Sequence, residues 1–422
     1  MQIKNILFSI GLFSLLCACA HKPHAPATTY TLPAPEDVVM YQVNPRVFAP
    51  NASFNAVGSY LDSIRHMGVN VVWFMPINEV GKEKSVNSPY CVKDYKGVNP
   101  EFGTMQEFKQ LVGQCHEKGM SVIMDWVANH TSWDNAWIQN KSWYTQDAGG
   151  NIISPEGMGW ADVADLNYGD ADMRSAMIEA MKYWVETTDI DGYRCDYAEG
   201  VPDDFWKQAI KELKVIKGDD LLMLAEGGKA ALYADGFDIV YGWSLIPKLQ
   251  DVFAGKAALS ALYEVHRQEY QGVPAGKQRL RYTTNHDLAS ESSPLQAYKN
   301  ERGAMAAFVL AGMLDGVPLI YSSQEIAYPQ PLSFFGYQVM DWNSNPACLN
   351  EYKQLMKVYK ASAALRGGTL KTYETGKVAS LYHAAGEKGL FVMVNTSNEA
   401  QTVKVPIERT GDRVKNLLNG EV

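Results

Sequence analysis

The residues best suited to chemistry lie in one short stretch, Asp189-Ile-Asp-Gly-Tyr-Arg-Cys-Asp-Tyr-Ala-Glu-Gly200. Read as a β-strand, its period of two places Arg194 and Asp196 on one face and Cys195 on the other. A guanidinium beside a carboxylate orients that carboxylate and favours its ionised form, which is what a nucleophile requires. An isolated Arg-x-Asp pair is equally well a structural ion pair, so the interpretation depends on partners from other segments.

Two further carboxylates follow predicted strands at the point where each strand ends. Glu226 closes one apolar run, and Asp287 follows another. Because the carboxyl ends of the strands of a parallel barrel meet at one rim, Asp196, Glu226 and Asp287 are expected to converge there. The other polar residues predicted at this rim are Asp125, His130, Arg194 and His286. Each carboxylate alone could simply cap a loop, but three on one rim call for a chemical explanation.

Cleavage of a glycosidic bond uses such a set of groups. It needs a carboxylate nucleophile, a carboxylic acid that shares its proton, and charge around an oxocarbenium-like transition state. The apolar neighbours Leu224 and Ala225 are expected to keep Glu226 protonated, as the acid role requires. His130 and His286 can donate hydrogen bonds to sugar hydroxyls as charge develops.

Apolar runs of strand length alternate with helical patterns along most of the chain. The predicted strands cover residues 38–44, 69–75, 121–125, 192–196, 221–226, 237–243, 279–284 and 317–321. Strands that alternate with helices predict parallel βα units, and eight such units close a barrel. We therefore predict an α/β fold of the (β/α)8 class, with one long helix over residues 248–270 among its outer helices.

The barrel is predicted to span residues 37–130 and 170–365, with two attachments. The intervening residues 131–169 are too many for a simple βα loop and predict an inserted domain. The aromatic residues of this segment either line a cleft or form a small core of their own: Trp133, Trp137, Trp143, Tyr144 and Trp160. From residue 366 the pattern alternates with period two, which predicts a C-terminal antiparallel β-domain over 366–422 and leaves open whether a further strand follows.

Composition excludes some classes of partner. The chain carries a formal net charge of −9 without a basic run, so nucleic acid is a poor candidate. Its 10 Trp and 23 Tyr suit stacking on sugar rings, although ordinary packing explains aromatic residues equally well. Beyond the N-terminal region, Cys91, Cys115, Cys195 and Cys348 show neither a disulfide framework nor a zinc motif.

The N-terminus has the features of an export signal. Lys4 precedes an apolar run over residues 6–16, which is too short to span a bilayer and fits the core of a signal peptide. The run ends in Leu16-Cys-Ala-Cys19, which resembles a bacterial lipobox. This predicts a signal peptide over 1–18, lipidation of Cys19 and a proline-rich tether over 19–36. The protein would then be a lipid-anchored envelope protein on an undetermined membrane face; the alternative is a plain secretory signal.

Several segments together resemble the α-amylase family of retaining glycoside hydrolases (glycoside hydrolase family 13). The four signature segments are matched by Asp125-Trp-Val-Ala-Asn-His130, Gly192-Tyr-Arg-Cys-Asp196, Glu226 and Asn285-His-Asp287. Additional segments of the family are matched around Tyr90, at Asp165-Leu-Asn167 and at residues 316–325. The resemblance covers residues 38–422 and implies a barrel with an inserted domain and a C-terminal β-domain.

The resemblance also implies roles for individual residues. Asp196 becomes the nucleophile, Glu226 the acid/base and Asp287 the stabiliser of the transition state, and the chemistry requires no cofactor. The residues expected to contact the substrate are Tyr90, His130, Arg194 and His286. The substrates would be starch-derived α-glucans and maltooligosaccharides. A transglycosylase remains an alternative, and a non-catalytic sugar-binding relative is disfavoured because all three carboxylates are present.

The sequence leaves a structural calcium open. Asn129 matches a calcium-ligating asparagine of the family. Glu199 and Gly200, however, stand where many members carry a Lys-His pair whose histidine backbone helps to hold the ion.

Overall fold

A computed structural model of the protein describes residues 30–404 and 415–420. The predicted signal peptide, Cys19 and residues 19–29 of the predicted tether lie outside the described residues. Within the described ranges, no helix combines the length and the apolar character that crossing a membrane requires.

Fifteen strands are present in the described part of the chain. In chain order they are β1 (Met40–Val43), β2 (Val71–Phe74), β3 (Glu79–Val80), β4 (Val92–Asp94), β5 (Ser121–Val127), β6 (His130–Ser132), β7 (Val163–Asp165), β8 (Gly192–Asp196), β9 (Leu222–Ala225), β10 (Ile239–Tyr241), β11 (Gln278–Arg281), β12 (Val317–Tyr321), β13 (Thr369–Tyr373), β14 (Val378–Ala385) and β15 (Lys388–Asn395). Eight of them close a parallel barrel in the order β1-β12-β11-β10-β9-β8-β5-β2. The predicted fold class is thereby confirmed.

The barrel strands are buried on both faces, so they form two apolar layers. Inside the barrel lie the side chains of Met40, Val71, Trp73, Ile123, Leu222, Leu224, Ile239, Leu280, Val317 and Leu319. The alternate residues of the same strands, such as Tyr41, Val72 and Cys195, pack outward against the helices. This alternation explains why the strands read as continuous apolar runs in the sequence.

The helices that surround the barrel follow the strands closely. They are α1 (Ser53–His66), α2 (Met105–Glu117), α3 (Ala171–Thr188), α4 (Asp203–Lys217), α5 (Leu245–Ala254), α6 (Leu259–Glu269), α7 (His286–Glu291), α8 (Pro294–Ala297), α9 (Glu301–Gly312) and α10 (Pro346–Ala361). The single helix predicted over residues 248–270 is wrong. Gly255 adopts a φ of 77° and ends α5, and α6 begins after Ala258.

The residues between β5 and α3 form a small unit at the carboxyl end of the barrel. β6 pairs antiparallel with β7, and His130 lies opposite Asp165. Trp137 packs against Tyr95 and Trp143, so part of the aromatic set is a small core. Trp160 instead packs edge-on against His130 and Tyr197, next to the predicted site. The small core is therefore present, and a role of Trp160 in lining a cleft stays a prediction.

Strands β13, β14 and β15 form an antiparallel sheet after the barrel, as predicted. The sheet is joined to the barrel through buried polar contacts. His383 Nε2 lies 2.8 Å from the Met313 carbonyl oxygen, and the Ser380 amide donates to the Tyr263 hydroxyl at 3.3 Å.

Candidate active site

Arg194 lies at the centre of a cluster of carboxylates at the carboxyl rim of the barrel. Its Nη1 is 2.7 Å from Asp125 Oδ1 and 2.8 Å from Asp196 Oδ1, and its Nη2 is 2.7 Å from Glu226 Oε1. The Arg194 side chain is fully buried, whereas 12% of the Asp196 side chain and 16% of the Glu226 side chain are exposed. A buried guanidinium thus holds two carboxylates that a ligand can reach.

Asp125 supports Arg194 from the neighbouring strand. The two residues lie opposite each other in the parallel pairing of β5 with β8, which places both side chains at the same height in the barrel. The second carboxylate oxygen of Asp125 accepts hydrogen bonds from Trp73 Nε1 at 3.1 Å and from the Tyr90 hydroxyl at 3.0 Å. Asp125 is only 1% exposed, so it orients Arg194 rather than meeting a ligand.

His286 is held between Gln42 and Tyr90. Its Nδ1 lies 2.8 Å from Gln42 Nε2, and its Nε2 lies 2.6 Å from the Tyr90 hydroxyl, while the two rings stack with centroids 5.3 Å apart. Burial and the charge of Arg194 lower the pKa of His286 to about 3, so the ring is neutral near pH 7. The Gln42 amide donates to Nδ1 in this arrangement, which assigns the proton to Nε2.

Asp287 stands one residue further along, at the start of α7. Its Oδ2 accepts from Asn285 Nδ2 at 3.1 Å, and its Oδ1 is 3.3 Å from His286 Nε2. About half of the side chain is exposed, 52%, which is more than for Asp196 or Glu226. Partial burial nevertheless raises the pKa of Asp287 above its usual value, against the influence of Arg194 and of the hydrogen bond from Asn285.

The backbone of Tyr197 fixes the second oxygen of Glu226. The Tyr197 amide donates to Glu226 Oε2 at 2.7 Å, and Tyr197 adopts a left-handed φ of 42° to do so. Such strained backbone in a non-glycine residue is concentrated at functional sites. Of the two apolar neighbours of Glu226 in the sequence, Leu224 lies in the barrel interior and Ala225 packs outward against the helices. Their effect on the protonation of Glu226 stays a prediction.

The environment of Asp196 combines opposing influences on its protonation. Burial raises the pKa of Asp196 well above its usual value, the nearby carboxylate of Glu226 raises it further, and Arg194 opposes both. The carboxylates of this rim therefore compete for one cation. Protonation of one of the two carboxylates relieves the repulsion between them.

His130 and Asn129 lie on the side of the site next to the inserted segment. His130 is buried, its pKa is lowered by burial to about 4, and Trp160 meets it edge-on at a centroid distance of 5.5 Å. Asn129 Nδ2 lies 3.4 Å from His130 Nδ1. The structure therefore brings His130 to the rim together with Tyr90, Arg194 and His286.

Calcium prefers carboxylate and carbonyl oxygens. Glu199, the nearest acidic residue after Asp196 in the sequence, points to backbone amides of Gly228 and Lys229 instead. Residues 30–404 and 415–420 contain no group of three or more His, Cys, Asp or Glu side chains that could hold a metal ion. A calcium at Asn129 stays a prediction.

Several residues of the site were not predicted from the sequence. They are Gln42, Trp73, Tyr197 and Glu199. The first three form hydrogen bonds to the predicted residues His286, Asp125 and Glu226, whereas Glu199 accepts a hydrogen bond from the amide of Gly228. Gln42 could have been recognised in the sequence. It is an amide side chain within the otherwise apolar or aromatic strand β1, one residue before the end of that strand. The contacts of Tyr197 and Glu199 cross between loops and leave no periodic signal.

The protein is a (β/α)8 barrel with a cluster of carboxylates around Arg194 at the carboxyl rim of the barrel. The model of the alpha-amylase catalytic domain matches residues 51–149 and 158–366, which is most of the chain. The chain therefore belongs to the alpha-amylase family.

Relatives and solved structures agree with this assignment. An alpha-amylase of Haloarcula japonica is 26% identical over 70% of this chain and 45% of its own length. A cyclomaltodextrinase of Geobacillus thermopakistaniensis is 26% identical over 86% of this chain and 65% of its own length. The crystal structure of an alpha-amylase from Lactobacillus plantarum superposes with a TM-score of 0.83 at 26% identity, covering 91% of this chain and 93% of the other. The chain thus spans about half to two thirds of the length of the curated relatives.

Proposed function

We propose that the protein is a retaining hydrolase of α-glucosidic bonds that acts on starch-derived α-glucans and maltooligosaccharides. The observation that carries this proposal is the contact of Asp196 and Glu226 with neighbouring nitrogens of the single Arg194 guanidinium. Two carboxylates so close together suit a retaining mechanism, which needs a separation of about 5 Å, better than an inverting one, which leaves room for a water. Relatives named alpha-amylase and cyclomaltodextrinase support the substrate class.

The proposed reaction has two steps. Asp196 attacks the anomeric carbon while Glu226 donates its proton to the departing glycosidic oxygen, which forms a glycosyl-Asp196 ester and releases the shortened glucan. Glu226 then takes a proton from a water that attacks the same carbon, so Asp196 leaves as a carboxylate and the acid is restored. Asp287 and the donors of His286 and His130 interact with the ring hydroxyls as positive charge develops.

The test is the release of sugar from maltooligosaccharides, pullulan and soluble starch. We expect reducing sugar from at least one of them, with the α-configuration retained in the first product seen by NMR. Glu226→Gln should reduce turnover by about 10³-fold or more while substrate still binds, because the proton donor and later base is lost. Unchanged turnover in this variant would contradict the assignment, and oligosaccharides longer than the substrate would indicate transglycosylation.

We also propose that the protein is a bacterial envelope lipoprotein anchored at Cys19. The support is the apolar run over residues 6–16 that ends in Leu16-Cys-Ala-Cys19. Such an anchor would hold the enzyme near the membrane through the proline-rich residues that follow.

A further inference from the structure

The segments that follow β8 and β9 are connected by a set of hydrogen bonds. The Glu226 amide donates to the Cys195 carbonyl at 3.0 Å, which continues the pairing of the two strands, and the Ala198 amide donates to the Glu226 carbonyl at 3.0 Å. Residues 196–200 and 226–229 thus form a joint unit that carries both the proposed nucleophile and the proposed acid. After Glu226, the two segments are connected by hydrogen bonds to a side chain.

That side chain is Glu199, whose carboxylate reaches the loop after β9. Its Oε1 accepts from the amides of Gly228 at 2.7 Å and Lys229 at 3.0 Å. Its Oε2 lies 3.1 Å from Lys229 Nζ, although 69% of the Lys229 side chain is exposed. An exposed ion pair contributes little, whereas hydrogen bonds from amides to a carboxylate are strong, so the two amide contacts dominate.

A glycine in the loop leaves space for the Glu199 carboxylate. A Cβ atom on Gly227 would lie 2.8 Å from Glu199 Cγ and 2.6 Å from Leu232 Cδ1, so glycine leaves the space through which Glu199 reaches the amides. Partial burial raises the pKa of Glu199, but hydrogen bonds from the Lys229 amide and ammonium and from the Gly228 amide outweigh burial and hold the pKa below its usual value. Glu199 is therefore ionised near neutral pH.

We propose that Glu199 is a positioning residue that fastens residues 227–229 to the nucleophile segment and so fixes the direction in which Glu226 delivers its proton. The inference rests on the proposed function of Glu226. The Tyr197 amide already holds Glu226 Oε2, and Glu199 holds the two residues that follow Gly227, so the acid is restrained from both sides. Displacement of a reacting group by about 1 Å can reduce a rate on the order of 100-fold.

The test compares two substrates that differ in their need for a proton. Maltopentaose has a poor leaving group that Glu226 must protonate, whereas fluoride leaves α-maltosyl fluoride without a proton donor. Glu199→Ala is expected to lower kcat/KM for maltopentaose by about 10- to 100-fold and for the fluoride by less than about threefold. Glu199→Gln retains an acceptor oxygen for the two amides and should recover most of the loss.

Two further variants separate the amide contacts from general effects. Lys229→Ala removes only the exposed ion pair and should cost less than about threefold on either substrate. Glu264→Ala is the matched control, because it removes a glutamate whose contacts are with Arg267 and Gln268 on the outer helix α6. It should leave both rates within experimental error of the wild type.

Two results would overturn the inference: no loss with Glu199→Ala, or equal losses on both substrates. Hydrogen exchange provides a readout that does not depend on activity. The Gly228 and Lys229 amides should exchange at least about tenfold faster in Glu199→Ala and stay protected in Lys229→Ala. If the wild-type protein released no sugar from any α-glucan, the proposed function would fail. Unchanged amide exchange in Glu199→Ala would instead refute the inference that Glu199 fastens the loop, whatever the activity of the protein.

Discussion

At the level of single residues, the rim depends on one buried cation. Arg194 has no exposed side-chain surface and lies within 2.8 Å of oxygens from Asp125, Asp196 and Glu226. A buried charge is tolerated only with partners, so each of these carboxylates stabilises Arg194 while Arg194 orients them. Asp125 is turned inward by Trp73 and Tyr90, which leaves Asp196 and Glu226 as the pair that can react.

The protonation of Asp196 leads to a prediction about pH. A nucleophile must be ionised, and burial together with Glu226 raises the pKa of Asp196 above its usual value of 3.8. Activity should therefore be present above this raised pKa and be lost as the pH falls through it. The acidic limb of kcat/KM against pH should lie clearly above 3.8, and a limb at or below that value would contradict the described environment of Asp196.

The histidines are not expected to produce this limb. The pKa of His286 is lowered to about 3 and that of His130 to about 4, in both cases first by burial. Both rings are therefore neutral near pH 7. A His286→Asn variant should have a lower kcat but should keep the acidic limb at the same pH. The dependence of kcat/KM on pH measures the position of this limb.

At the level of elements, the strand that carries the proposed nucleophile begins with a glycine whose position leaves no space for a side chain. Gly192 has a φ of 151°, and a Cβ atom there would lie 1.8 Å from the carbonyl oxygen of Leu222 in β9. The conflict is with backbone, which cannot rotate away as a side chain can. Close approach of β8 and β9 at this point is what brings Arg194 and Glu226 into contact further along the strands.

This packing predicts different effects on stability for two glycine substitutions. Gly192→Ala should destabilise the protein by about 3 kcal/mol or more, through steric conflict and strain. Gly113→Ala is the matched control, since apart from its chain neighbours and the nearby backbone of α2 no atom lies within 4 Å of its Cβ position, and alanine favours a helix by up to about 1 kcal/mol. Thermal unfolding should show a lower Tm for the first variant and an unchanged or higher Tm for the second. Equal Tm values for Gly192→Ala and wild type would refute the described register.

At the level of the whole molecule, the sequence predicted the barrel and the rim because both have local signals. Strands β8 and β12 have the bounds that their patterns predict, Asp196 is the last residue of β8, and Glu226 directly follows β9. The break between α5 and α6 was missed because apolar spacing continues across Gly255. The contacts of Gln42 with His286 and of Glu199 with Gly228 join residues from separate βα units, so no local pattern reveals them.

The proposed anchor makes a prediction about the intact protein. Expressed in a bacterium from its own N-terminus, the wild-type chain should incorporate labelled palmitate and sediment with membranes. Cys19→Ala should abolish the label and release the protein, whereas Cys17→Ala should leave the label in place. Labelling of the Cys19→Ala variant, or soluble wild-type protein without label, would contradict lipidation at Cys19.

The most direct test of the proposed mechanism is to trap the glycosyl-enzyme. In Glu226→Gln, α-maltosyl fluoride should still react with Asp196, because fluoride leaves without an acid, while hydrolysis of the ester is slow without the base. Mass spectrometry of the denatured protein should then show one added maltosyl group, and peptide mapping should place it on Asp196. An adduct on Asp287 or another carboxylate, or no adduct while fluoride is released in the wild type, would contradict the assignment of Asp196 as the nucleophile.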